Sequence, residues 1–245
     1  MQKKVIICDV DETICNSCQI IKPDMANTIN QLIQKGYTFA FISGTKESYL
    51  KEMISTSLNH NHFLLPTTGT KCIQINQDSN TNHYEHSLNQ EEKNKVINAL
   101  NQLTIYYNIQ SLTTKEDQIQ DRGSQITLSA IGRHAPKKLK EQHDKNTTKR
   151  QLWVKYLKTI LDENEWEINI AGTTSIDITK KGYDKGWGIK QFAKNQNIQL
   201  NHILFFGDKT KPGGNDYPAT KVVDFIEVNN PNETLEHFKN LLNQE

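Results

Sequence analysis

Short uninterrupted apolar runs alternate with amphipathic stretches along this chain. The first run, Val5-Ile6-Ile7-Cys8, has no polar break, which predicts a strand buried on both faces, parallel and central in its sheet. Pro23 to Lys35 carries Met25, Ile29, Leu32 and Ile33 at helical spacing, with Gly36 as its stop. A second run, 37–42, predicts another strand, and a helix follows over about 46–56. Phe63-Leu64-Leu65 and Lys71 to Ile75 read as strands around Thr67-Thr68-Gly69, and the polar stretch from Gln77 to His86 reads as a linker.

The middle of the chain has a different texture. A helix is predicted from about Asn89 to Leu103, with Val96, Ile97, Leu100 and Leu103 on one face. Residues 118–120 and 125–131 then alternate polar and apolar, as antiparallel strands with one open face do. A charged helix over 149–164 would turn Leu152, Trp153, Tyr156, Leu157, Ile160 and Leu161 inward, and strands at 166–170 and 174–178 follow it. Helix, strands, helix, strands is an α+β arrangement. The parallel-type pattern then returns, with a helix opening near Lys185 and running through Ala193, a buried strand Ile203-Leu204-Phe205-Phe206, a strand 225–228 and a closing helix.

At 245 residues the chain has room for one large domain or two small ones with a real core. A formal net charge of +1 gives no strong attraction to nucleic acid or an anionic membrane, so neither is an expected partner. No apolar run approaches a membrane span and no secretory leader pattern opens the chain, so a cytoplasmic location is expected. Cys15 and Cys18 form a CxxC with no second ligand pair at zinc spacing, and nothing marks the first as a low-pKa thiol, so a structural role is expected for both.

Candidate chemistry sits where predicted strands end. The first run stops in Asp9 and Asp11, and continued alternation would put both carboxylates on one side. Two carboxylates that close stay ionised together when a cation lies between them, and oxygen ligands at a strand tip suit Mg²⁺. A solvated turn is the plainer alternative. The second strand ends in Ser43-Gly44-Thr45 ahead of a helix, a place for phosphate or for an ordinary helix cap. The strand ending in Phe206 leads into Gly207-Asp208, a Gly-rich loop and Asp216, which are further oxygen ligands at the sheet edge or a tight turn without chemistry.

The Asp-x-Asp-x-Thr pattern at Asp9, Asp11 and Thr13 resembles the first motif of the haloacid dehalogenase superfamily. Ser43, Lys185 and the Asp208/Asp216 pair resemble its second, third and fourth motifs, in order. The resemblance implies a Rossmann-like α/β core with a parallel sheet, over 1–82 and 185–245, and an inserted α+β cap of type IIB with an antiparallel sheet over 83–184. It implies Asp9 as a nucleophile that is transiently phosphorylated, Asp11 as general acid/base, Lys185 as the cation beside the aspartyl-phosphate, and Asp9, Asp11, Asp208 and Asp216 around Mg²⁺.

The stretch Gly207-Asp208-Lys209-Thr210 to Pro212-Gly213-Gly214-Asn215-Asp216-Tyr217 closely resembles the fourth motif of the eukaryotic-type phosphomannomutases. Arg122 and Arg133 match two arginines that hold sugar phosphate there, and Ser175 and Asp177 match a pair that binds sugar hydroxyls. His143-Asp144-Lys145 and Arg150 resemble the same family's helix start. The resemblance implies a mutase acting on a hexose phosphate such as mannose 6-phosphate, with hexose 1,6-bisphosphate as activator and a homodimer formed through the cap. Standing alone, the two arginines would be read as solvated strand ends.

Several positions depart from that family. Cys18 and Lys140 stand where it has arginines, Glu12 stands where many relatives have glycine, and Ile42-Ser43-Gly44-Thr45 is closer to the sugar phosphatases with this cap. Fewer phosphate clamps weaken capture of a bisphosphate, so a sugar-phosphate phosphatase is the alternative expectation. A non-catalytic binding module is a third, disfavoured by the intact acidic and basic positions.

Overall fold

A computed structural model describes residues 4–243. The chain divides into two units, 1–85 with 184–245, and 86–183.

The first unit opens with β1 (Val5–Cys8), α1 (Pro23–Gln34), β2 (Thr38–Ile42), α2 (Glu47–Met53), β3 (His62–Leu65), β4 (Lys71–Ile75) and β5 (Asn80–Glu85). All four residues of β1 are buried, as an unbroken apolar run demands. Pro at the first position of α1 costs no hydrogen bond there, and its preset φ suits the helix. The stretch expected as a linker contains β5, an edge strand paired antiparallel to β4. Mostly exposed side chains leave no alternation to read; its backbone pairing and the Lys71–Glu85 ion pair at 2.7 Å hold it.

The second unit contains α3 (Gln90–Tyr106), α4 (Lys115–Gln118), β6 (Ile119–Asp121), β7 (Gln125–Ser129), α5 (Lys137–His143), α6 (Thr148–Leu157), β8 (Trp166–Ala171) and β9 (Ser175–Lys180). Asn89 and Glu92 form a capping box at the start of α3. The sheet is antiparallel in the order β6-β7-β9-β8. Val96, Leu100 and Leu103 of α3 and Trp153 and Leu157 of α6 pack on Ile126, Leu128, Ile176 and Ile178 of the sheet. The helix expected over 149–164 ends at Leu157; tighter turns carry the chain on and still return Leu161 to the core. Leu152, expected inward, is 49% exposed, because the shorter helix presents only one stripe to the sheet.

The first unit resumes with α7 (Lys185–Asn195), β10 (Ile203–Gly207), α8 (Tyr217–Thr220), β11 (Asp224–Glu227) and α9 (Pro231–Asn243). Its sheet runs β11-β10-β1-β2-β3-β4-β5, with the first five strands parallel. Alternation sends Ile6 and Cys8 to a cluster that includes Phe39, Phe206 and Phe238, and Ile7 to one with Ile189, Phe192 and Phe205. Cys8 lies opposite both Phe41 of β2 and Phe206 of β10, so these three strands end side by side. Asp9, Ser43 and Asp208 follow those ends directly. Among the described residues no helix is long and apolar enough to cross a membrane.

Asp144 and Arg150 form an ion pair at 2.9 Å whose side chains are almost fully buried. Asp144 also accepts from the amides of Lys149 and Arg150 at the start of α6, and Arg150 donates to the carbonyls of Ala171 and Gly172. Burial pushes the Asp144 carboxyl up, but the Arg150 guanidinium and the two amides outweigh it and hold it below the usual carboxylate range. Its stabilising effect is therefore present above the unfolded carboxyl's pKa and is lost as pH falls through the lower folded value. Asp144→Asn should destabilise the protein at neutral pH by about 3–5 kcal/mol, as for a buried pair missing one partner, and flatten the acid limb of its stability curve. Urea unfolding between pH 7 and pH 3 checks both.

Candidate active site

Four charged side chains converge beyond the end of β1. Asp9, the residue after the strand, is 4% exposed and its Oδ2 accepts from the Thr13 hydroxyl at 3.3 Å. Lys185, the first residue of α7, places Nζ 2.5 Å from Asp9 Oδ1 and 2.5 Å from Asp216 Oδ1. Asp216 Oδ2 accepts from the Lys209 amide. Asp208 pairs with Lys209 through Oδ2 at 3.2 Å, while its buried Oδ1 has no hydrogen-bond partner among the described residues.

Glycines make this approach possible. A Cβ on Gly207 would lie 2.8 Å from Asp216 Oδ2, so only glycine at the end of β10 lets that carboxylate close in. A Cβ on Gly186 would lie 2.5 Å from the Pro218 carbonyl, and one on Gly188 would overlap the Thr68 carbonyl. The first turn of α7 thus lies flush against two backbone segments, which sets where Lys185 points. A cation at a helix N-terminus opposes the helix dipole, so the carboxylates must hold it there.

Burial pushes the Asp9 carboxyl up to about 7; Lys185 opposes the shift, and Asp216 and Asp208 add to it. Burial likewise raises Asp208, with Lys209 opposing it. Asp216 is held below the usual carboxylate range, because Lys185 outweighs its burial. Burial lowers the Lys185 ammonium, but Asp216 and Asp9 outweigh it and hold it above the ordinary lysine value. One buried ammonium, with the more exposed Lys209 beside Asp208, thus faces three carboxylates. Oxygens of Asp9, Asp208 and Asp216 lie within 4.8 Å of one another, an all-oxygen set with one buried oxygen unpaired, which fits a hard divalent cation.

Asp11 is not in that cluster. β1 ends at Cys8, so strict alternation does not extend to Asp11, whose Oδ1 instead accepts from the Cys18 amide at 2.7 Å. Glu12 adopts φ 62°, the left-handed conformation glycine takes without strain, and its carboxylate accepts from the Ser17 amide at 2.9 Å. A glycine-type turn is therefore kept with a side chain in it. Ser43 is buried and its Oγ accepts from the Thr45 amide at 3.1 Å. Neither Ser43 nor Thr45 caps α2, which begins after Lys46. All four cysteines are free thiols; burial pushes Cys15 up, away from a reactive thiolate.

In the second unit, Thr127 on β7 stands opposite Asp177 on β9, and Ser129 opposite Ser175. Thr127 Oγ1 donates to Asp177 Oδ1 at 2.7 Å, Ser129 and Ser175 hydroxyls lie 3.3 Å apart, and Arg122 donates to Gln120 Oε1 at 3.1 Å. Burial raises the Asp177 carboxyl, while Arg122, Thr127, Gln125 and Arg133 pull it down. Ser175 and Asp177 therefore share one polar face of β9, and the charges of Arg122 and Arg133 act on Asp177. That face was expected to be open, yet Gln125, Thr127 and Ser129 are at most 2% exposed, and their side chains are hydrogen-bonded: Gln125 donates to Thr127 Oγ1 and Gln120 to Ser129 Oγ. Sequence reading passed over Gln120, Gln125 and Thr127; the shared parity of Gln125 and Thr127 with Ser129 was an available signal, whereas Gln120 reaches the face by pairing opposite Thr127. Lys140 donates to the Arg133 carbonyl at 2.9 Å.

A parallel core with an inserted antiparallel unit, and an ion-paired aspartate at the end of its central strand, is the architecture of the haloacid dehalogenase superfamily of phosphotransferases. Solved structures share the fold: the IMP-bound, N-terminally truncated IMP-nucleotidase of Plasmodium falciparum superposes with a TM-score of 0.69 at 15% identity, covering 99% of this chain and 68% of that one. A haloacid dehalogenase-like hydrolase from Bacteroides thetaiotaomicron gives 0.62 at 16% identity, covering 98% and 100%.

The chain belongs to the eukaryotic phosphomannomutase family, whose model matches residues 25–244. The phosphomannomutase of Schizosaccharomyces pombe is 25% identical over 98% of this chain and 95% of its own length. That of Glycine max is 25% identical over 97% and 95%. The family match begins after the Asp9–Asp11 motif, which these longer alignments extend across.

Because Gly188 abuts the Thr68 carbonyl, Gly188→Ala should cost about 2 kcal/mol or more and move Lys185 from between its carboxylates. Thermal unfolding reads the first effect, and phosphoryl-transfer rates on the folded fraction read the second.

Proposed function

We propose that this protein is a Mg²⁺-dependent phosphomannomutase that interconverts hexose 6- and 1-phosphates, mannose phosphates foremost, through a phosphorylated Asp9. The observation that carries this reading is the buried Lys185 bridge between Asp9 and Asp216, in a chain of the phosphomannomutase family.

The free hydroxyl of a hexose monophosphate attacks the phosphorus of phospho-Asp9, Asp11 takes its proton, and the bond from phosphorus to Asp9 breaks, leaving a hexose 1,6-bisphosphate. With the bisphosphate turned around, Asp9 attacks the other phosphorus, whose bond to the sugar oxygen breaks as Asp11 gives that oxygen a proton, so the isomeric monophosphate leaves and phospho-Asp9 is restored. Lys185 offsets negative charge on Asp9 and the phosphoryl group throughout. Ser43 would offer its hydroxyl to the phosphoryl oxygens. Mg²⁺ held by Asp9, Asp208 and Asp216 would neutralise phosphoryl charge at this site. Arg122 and Arg133, with Lys140 beside them, grip the phosphate that is not reacting, and Ser175 and Asp177 receive sugar hydroxyls. Hexose 1,6-bisphosphate would prime the cycle by phosphorylating Asp9. A soluble sugar phosphate as substrate fits a cytoplasmic location.

The phosphatase reading, with water attacking the aspartyl-phosphate, draws on one observation: an exposed Cys18 stands where the family has an arginine. The experiment supplies mannose 1-phosphate, Mg²⁺ and a trace of hexose 1,6-bisphosphate, and follows 6-phosphate and free phosphate together. A mutase makes 6-phosphate faster than it releases phosphate, and chelating the metal stops it. Free phosphate alone would overturn the mutase reading and leave the phosphatase.

A homodimer through the cap is part of the proposal. Ile105 at 81% exposure, Tyr106 at 69% and Leu152 at 49% lie on α3 and α6, where Tyr106 stacks on Tyr156 at 4.9 Å. So apolar a helical surface suits a second copy. Sedimentation should show a dimer, and Tyr106→Glu a monomer.

A further inference from the structure

Arg133 sits in a turn with little secondary structure of its own. Gly132 has φ +95°, and a Cβ there would overlap the Thr113 hydroxyl, so the 111–114 loop lies directly against the turn. The next residues are held by one side chain and its own backbone. The Arg133 amide donates to the Asp117 carbonyl at 3.2 Å, and the His134 amide to Asp117 Oδ2 at 3.0 Å. Asp117 Oδ1 lies 2.6 Å from His134 Nδ1. On the other side, Lys140 Nζ donates to the Arg133 carbonyl at 2.9 Å. Both polar groups of the Arg133 peptide backbone are thus satisfied from outside the turn.

The Asp117 side chain is only 13% exposed, whereas His134 is 68% exposed, so the carboxylate faces the turn while the ring closes over it. Thr114 Oγ1 accepts from the Asp117 amide, and burial of Asp117 is outweighed by the Thr113 hydroxyl, the His134 amide and its ring, which hold the carboxyl below its usual range. An ionised carboxylate accepting this many donors is a rigid anchor. A guanidinium grips a phosphate bidentately only if its base is fixed in position and direction.

We propose that Asp117, buckled by His134, is a positioning residue that aims Arg133 at the sugar-phosphate anion, with Lys140 holding the same peptide from the opposite side. The inference rests on Arg133 being a substrate residue, as proposed above. Lys140 then acts on substrate through Arg133 as well as beside it, because its ammonium is committed to the Arg133 carbonyl.

The test is a double-mutant cycle on the full-length protein with wild type, Asp117→Asn, Arg133→Ala and the double variant. It reads kcat/KM for mannose 1-phosphate and the affinity for hexose 1,6-bisphosphate by calorimetry. Asp117→Asn should weaken both about tenfold, the scale of one charge-assisted hydrogen bond, and should add nothing on top of Arg133→Ala. Losses that simply add would overturn the proposal and leave Asp117 a fold residue. An Arg133→Ala variant that binds as wild type does would overturn the substrate role of Arg133, and this inference with it; the calorimetric arm decides this even without turnover. If Asp117→Asn fails to fold, His134→Ala, which keeps the backbone bonds, takes its place with an expected loss of about threefold. Lys140→Arg should retain affinity that Lys140→Met loses, and equal losses would overturn the second half of the proposal.

Discussion

The interaction on which the rest of this structure depends is the Lys185 ammonium held between Asp9 and Asp216. All three are buried, and stranding any one of them would leave an uncompensated charge inside the protein, worth about 3–5 kcal/mol. The bridge joins the first motif to elements more than 170 positions later in the chain. It closes only because β1 and β10 are adjacent and α7 can lie against bare backbone at Gly186 and Gly188. A chain that failed to bring its two core segments together would fail to neutralise its own active site.

That arrangement keeps the site electrostatically unsatisfied in a useful way. Burial keeps Asp9 hard to ionise even beside Lys185, and Asp208, paired with Lys209 through Oδ2, keeps a buried Oδ1 with no donor among the described residues. Both features favour a divalent cation and an incoming phosphoryl group being recognised as one unit. The second unit solves a different problem. On its polar sheet face Gln125, Thr127 and Asp177 are hydrogen-bonded in one group and Arg122, Gln120 and Ser129 in another, whereas the backbone of Arg133 stands on a turn pinned from both sides.

Much of this was legible in the spacing of residues. β1, β2 and β10 are short, largely apolar runs, and the acidic and hydroxyl residues that were singled out follow directly on their ends. β5 was not legible, because an exposed edge strand needs no apolar face and its pairing is a matter of backbone. Nor was the end of α6, where the helical apolar period continues past Leu157 although the chain has already turned. Asp11 was placed beside Asp9 on the assumption that the strand went on; it stops first, and the carboxylate turns to the Cys18 amide.

By itself, the sequence determined the order of elements, the alternation that buries β1, and the residue types available at each strand end, because these follow from local spacing and chemistry. Only the tertiary structure decided which carboxylates meet. Asp9, Asp208 and Asp216 are brought together by sheet order and by the close approach of glycines to backbone, and neither is written in any local pattern. The same holds for Arg133, whose backbone amide and carbonyl are bonded by Asp117 and Lys140 from outside its turn. Charges act through space, and distance through space is what the fold, not the spacing along the chain, supplies.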